Sequence, residues 1–231
     1  MVAKKRRQPE LLLPLRVSSR TFHIPPFGLE AKLFVPENAS LLIVFVHGSG
    51  SSRLSPRNKM VARTLNAHGM ATLLFDLLTP EEAESREKIF DIGLLSERLT
   101  AVLRWLSDND ELLGFPVGLF GASTGAAAAL SVAARPDSGI FAVVSRGGRP
   151  DLAGENLDRI AVPVLLLVGG EDAAVLRLNE DALANLKGPK RLTIVAGASH
   201  LFEEPGALEE VAASAVRWFE DYSPVKKSGP V

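Results

Sequence analysis

The chain of 231 residues contains no cysteine. That absence excludes disulfide scaffolds, Cys-ligated zinc, iron–sulfur clusters and a thiol nucleophile, so any covalent chemistry must fall to another side chain. A large charge of either sign is also missing, with 26 Lys and Arg against 27 Asp and Glu. The balance is uneven along the chain. Lys4, Lys5, Arg6 and Arg7 crowd the first nine residues and Lys226 and Lys227 the last nine, which leaves a body of 20 bases and 27 acids. A nucleic-acid binder usually shows the reverse, a basic stripe on the folded surface, so no nucleic-acid partner is expected.

Internal repeats and linkers rich in Gly, Ser or Pro are absent too. The expected organisation is one domain over residues 11–222, between a disordered basic tail (1–10) and a flexible C-terminal tail (223–231). Met1–Glu10 lacks the apolar core of a signal peptide, and Leu11–Leu15, interrupted by Pro14, is too short to supply one. The cytoplasm is the expected location. Leu112–Ala134 runs 23 residues without a formal charge, long enough to span a bilayer. It is broken by Gly114, Pro116, Gly118, Gly121 and Gly125 and is rich in Ala, so a strand, a sharp turn and a buried small-residue helix are expected instead, with no membrane partner.

What is present reads as alternation. Arg20–Ile24 and Leu29–Val35 form a hairpin pattern around Pro25–Gly28. Leu41–Val46 is a continuous apolar run, as in a strand buried on both faces. Arg57–Ala67 reads as a helix, Met70–Leu78 as a strand, and Glu81–Asp108 holds a charged helix with Ile92, Leu95, Leu99, Val102 and Leu106 at helical spacing. Short strands follow at Val117–Phe120, Phe141–Ser145, Val164–Val168 and Leu192–Val195, with helices at Gly125–Ala134, Ala174–Leu186 and Ala207–Tyr222. The fold class is α/β: a mostly parallel sheet with helices on both faces and an N-terminal β-hairpin. Chemistry in such sheets gathers at the carboxyl ends of the strands.

At one such end lies Gly121-Ala-Ser123-Thr-Gly125. This is a G-x-S-x-G pattern between a strand and a helix, where a cramped turn would lift the Ser123 hydroxyl above the sheet. A Ser hydroxyl needs a base, and His200, just past the strand Leu192–Val195, is the best placed of the four His. His23 and His68 read as structural. The imidazole in turn needs a carboxylate. Asp172, after the strand Val164–Val168, supplies one, with Glu171 as the competing acid, while Asp76 reads as a loop or cap residue. The amides of Thr124 and of Ser49, in His47-Gly-Ser-Gly50, are the expected oxyanion donors, with His47 bracing that loop. Neither G-x-x-x-x-G-K-[ST] nor G-x-G-x-x-G occurs, which disfavours nucleotide binding.

With Ser123, Asp172 and His200 in that chain order, and with His47-Gly-Ser-Gly-Ser-Ser-Arg53-Leu-Ser-Pro-Arg57-Asn58 followed by Leu74-Phe-Asp-Leu-Leu78, the chain resembles an α/β-hydrolase. It is similar to the small lidless, dienelactone-hydrolase-like members, some of which occur fused to phosphoribosyltransferase domains. The resemblance runs from about Phe22 to Tyr222. It implies the α/β-hydrolase fold, a Ser123–His200–Asp172 triad, and no metal or other cofactor. Dienelactone hydrolases themselves resemble this chain in topology but use a Cys nucleophile, so dienelactone is not the substrate to expect. Only 18 residues separate Ser145 from Val164, too few for a helical lid domain, and an open site accepting a small soluble molecule is expected. Arg53 and Arg57, with Arg146 and Arg149, are candidate substrate-binding residues for an anionic group, with salt bridges to the more numerous acids of the body as the favoured alternative. The expected activity is a serine hydrolase acting on an ester, lactone or thioester. An acyltransferase on the same machinery and a non-catalytic binding module are the alternatives, and the oligomeric state stays open.

Overall fold

The computed structural model describes residues 16–225. The expectations for residues 1–10, and for Lys226 and Lys227, lie outside the described residues. The chain begins with β1 (Val17–Ile24), β2 (Leu29–Pro36), β3 (Leu41–Val46), α1 (Pro56–Ala67) and β4 (Met70–Phe75). Next come α2 (Pro80–Ala83), α3 (Arg86–Ile89), α4 (Ile92–Ser107), β5 (Val117–Ala122), α5 (Thr124–Ala133) and β6 (Ile140–Arg146). A 3-10 segment (Pro150–Arg159) precedes β7 (Val164–Gly169), α6 (Ala173–Asn185), β8 (Lys190–Val195) and α7 (Ala207–Asp221).

The strands form one sheet in the order β1-β2-β4-β3-β5-β6-β7-β8. β1 pairs antiparallel with β2 and β2 antiparallel with β4, while every pair from β4 to β8 is parallel. This is the expected α/β architecture with its N-terminal hairpin. The uncharged stretch 112–134 resolves as expected into β5, a turn and α5, and no helix among the described residues is long and apolar enough to cross a membrane. Residues 147–163 hold the 3-10 segment and no inserted lid domain.

The apolar runs explain the layering. On β3, Leu42, Val44 and Val46 face the core shared with α4, α5 and α6, whereas Leu41, Ile43 and Phe45 face the core shared with α1 and α7. Alternate residues of a strand point to opposite faces, so a strand covered on both faces must be apolar throughout. Each fully buried Leu or Phe contributes roughly 1.5–3 kcal/mol relative to exposure.

Boundaries shift where caps intervene. The segment 81–108 is not one helix but three, because Thr79, Ser85 and Asp91 each accept a backbone N–H from the first turn of a new helix. The strand over 70–78 ends at Phe75. α1 begins one residue early, at Pro56, capped by Ser55.

Candidate active site

β5 ends against a helix buried along most of its length. Ala126 to Ala129 have 0% exposure, so α5 packs its backbone close to the sheet. Gly125 makes this approach possible, since a Cβ there would lie 2.2 Å from the His47 carbonyl oxygen and 2.3 Å from that of Val46. Between strand and helix, Ser123 is forced to φ 51°, ψ −122°, a left-handed-side backbone that costs a non-glycine residue of order 1–3 kcal/mol. Backbone bonds hold the strain in place. The Ser123 N–H donates to the Arg146 carbonyl (3.2 Å), and the Ser123 carbonyl accepts from Ala126 N–H (3.1 Å) and Arg149 N–H (3.2 Å).

Ser123 occupies the N-cap of α5 yet its side chain makes no cap hydrogen bond. Asp172 occupies the N-cap of α6 and does not cap either. Ser and Asp at that position normally bond the first-turn amides and are worth about 1 kcal/mol there. Both hydroxyl and carboxylate are therefore withheld from the local role. The Asp172 carboxylate instead lies 2.6 Å (Oδ2) from Nδ1 of His200. That contact makes Nδ1 the protonated nitrogen and leaves Nε2 as the free acceptor of a neutral ring. The two loops that carry this pair are tied together: Gly170 N–H donates to the Val195 carbonyl (2.8 Å) and Glu171 N–H to the Ala198 carbonyl (3.0 Å). Glu171 itself is exposed, so the structure brings Asp172 to the imidazole and not the competing acid. The ring also reaches the loop clamped to the elbow: a Cβ on Gly147 would lie 3.5 Å from His200 Cε1.

The glycine loop after β3 passes over the elbow. A Cβ on Gly48 would come within 2.9 Å of the Ser123 Cβ, so only glycine fits at this contact. His47 braces the loop, accepting Leu77 N–H at Nε2 (3.0 Å) while Nδ1 donates to the Gly48 carbonyl (2.9 Å). Burial pushes its pKa down, partly opposed by the Gly48 bond and by Asp76. In this structure the Ser49 N–H donates to Thr124 Oγ1 at 2.8 Å, a bond it must exchange before it can meet an oxyanion, and which satisfies the buried Thr124 hydroxyl. Thr124 N–H, in the first turn of α5, has no partner within its helix.

The four arginines do not act as one cluster. Arg53 is bound by the carboxylates of Asp76 and Glu30, and its N–H donates to Asp76 Oδ1 (2.6 Å). Arg149 forks onto Asp151 at 2.8 and 2.7 Å. Both are thereby neutralised, in keeping with the reading of these arginines as partners of acids in the body and not as anion-binding groups. Asp76 lies in the loop after β4, where it holds Arg53. Arg57 holds Glu203 (3.0 Å), and Arg146 has no ion-pair partner among the described residues.

A cavity of about 460 Å³ opens beside the 47–53 loop, with Leu29, Leu77, Leu78 and Leu95 among its apolar walls. A larger one, about 1000 Å³, lies between α4, α5 and the 3-10 segment, and none of the candidate site residues lines it. The smaller one borders the glycine loop that passes over Ser123, although Ser123, Asp172 and His200 are not among its walls.

Residues 29–223 match the dienelactone hydrolase family. The chain belongs to that family. A dienelactone hydrolase from Anabaena variabilis has a crystal structure that is 48% identical, with a TM-score of 0.86, covering 91% of this chain and 99% of its own. The likeness establishes the α/β-hydrolase fold for this family member and supports a hydrolase. Proteins from two strains of Mycobacterium tuberculosis, named as phosphoribosyl transferases, are 53% identical over 209 residues, which is 90% of this chain and 47% of theirs. The chain spans about half the length of these curated relatives. Est1E from Butyrivibrio proteoclasticus shares the fold at 18% identity, with a TM-score of 0.74, covering 88% of this chain and 98% of its own.

Proposed function

We propose that the protein is a serine hydrolase that cleaves a small soluble ester, lactone or thioester through an acyl-enzyme. The observation that carries this reading is that Asp172, at the N-cap of α6, leaves its cap and meets His200 Nδ1, while Ser123, at the N-cap of α5, makes no capping bond either. Ser123 Oγ attacks the carbonyl carbon while His200 Nε2 takes the hydroxyl proton, and Asp172 holds Nδ1–H and stabilises the imidazolium. The tetrahedral oxyanion is met first by the Thr124 amide. Ser49 N–H adds a second bond when the Thr124 hydroxyl turns away from it. His200 then returns the proton to the leaving group, and water repeats the sequence on the acyl-enzyme. The cavity beside the 47–53 loop, with its leucine walls, suits a short apolar part of the substrate. The phosphoribosyl transfer in the mycobacterial names belongs to proteins twice this span, and nothing in the site described above calls for it.

The test is labelling by a fluorophosphonate probe together with hydrolysis of p-nitrophenyl acetate. Labelling of the wild type and none of Ser123→Ala is expected. An unlabelled wild type, or equal labelling of both, would sink the assignment.

A further inference from the structure

α4 turns two different faces to its surroundings. Leu95, Leu99, Val102 and Leu106 are buried in the core. Opposite them runs a stripe of Gly93, Glu97, Thr100, Ala101, Arg104 and Asp108, which the 3.6-residue repeat confines to an arc of about 100°. None of the six is buried. Glu97, Arg104 and Asp108 have no ion-pair partner among the described residues. Unpaired charges are ordinary on a solvated helix, but this stripe is flanked by two grooves. One of about 790 Å³ follows its C-terminal part, walled by Trp105 and by Pro25, Pro26 and the exposed Phe27 of the hairpin turn. The cavity of about 1000 Å³ follows its N-terminal part, with the exposed Leu152 on its wall. Glu97 and Arg135 line both, so the grooves adjoin across the helix, where Arg135 reaches over from the end of α5 to donate to Thr100 Oγ1 (2.6 Å).

The order of charges along the stripe selects its partner. Two copies of one helix packed antiparallel about a two-fold axis bring together residues equally far from that axis on either side. Midway between Thr100 and Ala101, Glu97 and Arg104 are such a pair, and so are Gly93 and Asp108. Each Glu97 then meets the partner's Arg104, and each Asp108 meets the first turn of the partner's α4, the positive end of its dipole. Every charge on the stripe faces an opposite one, whereas parallel packing in register would set Glu97 on Glu97 and Arg104 on Arg104. Thr100 and Ala101 at the crossing are small enough for the axes to approach to about 8 Å. Phe90 (50% exposed) precedes α4 and Leu113 (63% exposed) follows it, and antiparallel packing brings the end carrying one against the end carrying the other. Exposed ion pairs add little affinity; they fix the register, and apolar walls supply the burial. A standard interface takes about 800 Å² from each partner. The 16 residues of α4, about 24 Å long, form its spine, and the groove walls widen it on both flanks.

We infer that the outer face of α4 is a dimer interface whose occupant is a second copy of this chain, packed antiparallel on a two-fold axis between Thr100 and Ala101. The contact is isologous, with the same patch on both copies, and closes after two. It is separate from the candidate active site, since Ser123, Asp172 and His200 line neither groove.

Sedimentation equilibrium of the full chain, from about 1 to about 200 μM at low salt, tests this directly. The mass is expected to rise toward twice 24.7 kDa. Glu97→Arg or Arg104→Glu alone sets like charges against each other in both symmetric pairs, and each should weaken the dimer at least about 10-fold. The double variant Glu97→Arg with Arg104→Glu restores opposite pairs in reversed order and should return the dissociation constant to within about 3-fold of the wild type. It also guards against a single variant that merely misfolds, because only a restored charge match brings the dimer back. A second readout uses the absence of cysteine from the chain. Ala101→Cys places one thiol beside the axis, and a short bismaleimide should join two copies at a concentration where Glu210→Cys, exposed on α7, stays unlinked. A monomer at every concentration gives the face to another occupant and overturns the proposal. So does a dimer that Glu97→Arg leaves intact, a double variant that stays dissociated, or an Ala101→Cys form that cross-links no better than Glu210→Cys.

Discussion

Gly125→Ala tests whether the elbow is set by backbone contact. The added methyl would lie 2.2 and 2.3 Å from the carbonyl oxygens of His47 and Val46, whereas close carbon–oxygen contacts run to about 3.3 Å. Relief needs a shift of about 1 Å between α5 and the end of β3. Nothing there yields easily, because the obstructing atoms are backbone and Thr124 to Leu130 are buried. Overpacking of a core typically costs about 1–3 kcal/mol, and more against backbone. Alanine's better helix propensity returns at most about 1 kcal/mol. The clash therefore wins, by about 2–3 kcal/mol, which in a chain of this size lowers the melting temperature by roughly 5–10 °C. Gly170→Ala is the control: its Cβ would meet nothing nearer than 3.4 Å, so a change within about 0.5 kcal/mol is expected. Urea unfolding followed by tryptophan fluorescence measures both, provided the slope m is unchanged. The displaced His47 carbonyl would carry the 48–50 loop with it, so the hydrolysis of p-nitrophenyl acetate should fall further than the unfolded fraction explains. If Gly125→Ala were as stable as the wild type, or Gly170→Ala as damaging, the close-approach argument would be wrong.

Three further expectations concern the site. Asp172→Asn should lower kcat roughly 10³- to 10⁴-fold by presenting the wrong tautomer to His200, with Glu171→Gln close to wild type; comparable losses would reassign the acid. Thr124→Val keeps the shape but strands the Ser49 N–H, and should cost about 1–3 kcal/mol in urea unfolding, most of it recovered in Thr124→Ser. His47 is held neutral, with its pKa lowered by burial, while the unfolded chain binds a proton near pH 6.5. The unfolded state therefore protonates first as pH falls, so this contribution to stability is complete above about pH 6.5 and is lost below it. The difference in urea midpoint between wild type and His47→Gln should shrink from pH 7.5 to 5.5, and a constant difference would contradict the neutral, accepting imidazole.

Much of the architecture is written in local pattern. The apolar runs at 41–46 and 164–168 are strands because both of their faces are covered, and Gly121 to Gly125 marks a strand-to-helix turn by composition alone. The single helix read over 81–108 fails for a local reason too: Thr79, Ser85 and Asp91 are strong caps, and each restarts the helix. Ser123 and Asp172 are a different case. Local rules make each of them a helix cap, and only contacts with residues distant in sequence show that neither side chain is used that way.

The sequence by itself therefore determined the α/β alternation, the sheet's buried strands and the turn that carries Ser123, since these depend on neighbours a few residues apart. Tertiary structure alone decided which acid meets His200, 28 residues away, and that the Ser49 amide turns to Thr124, 75 residues away. It also decided that Arg53 and Arg149 are satisfied by their own carboxylates while Arg146 is not. The physical reason is that a charge or a hydrogen-bonding group is defined by its partner, and in a parallel sheet the partners at one edge arrive from strands far apart in the chain.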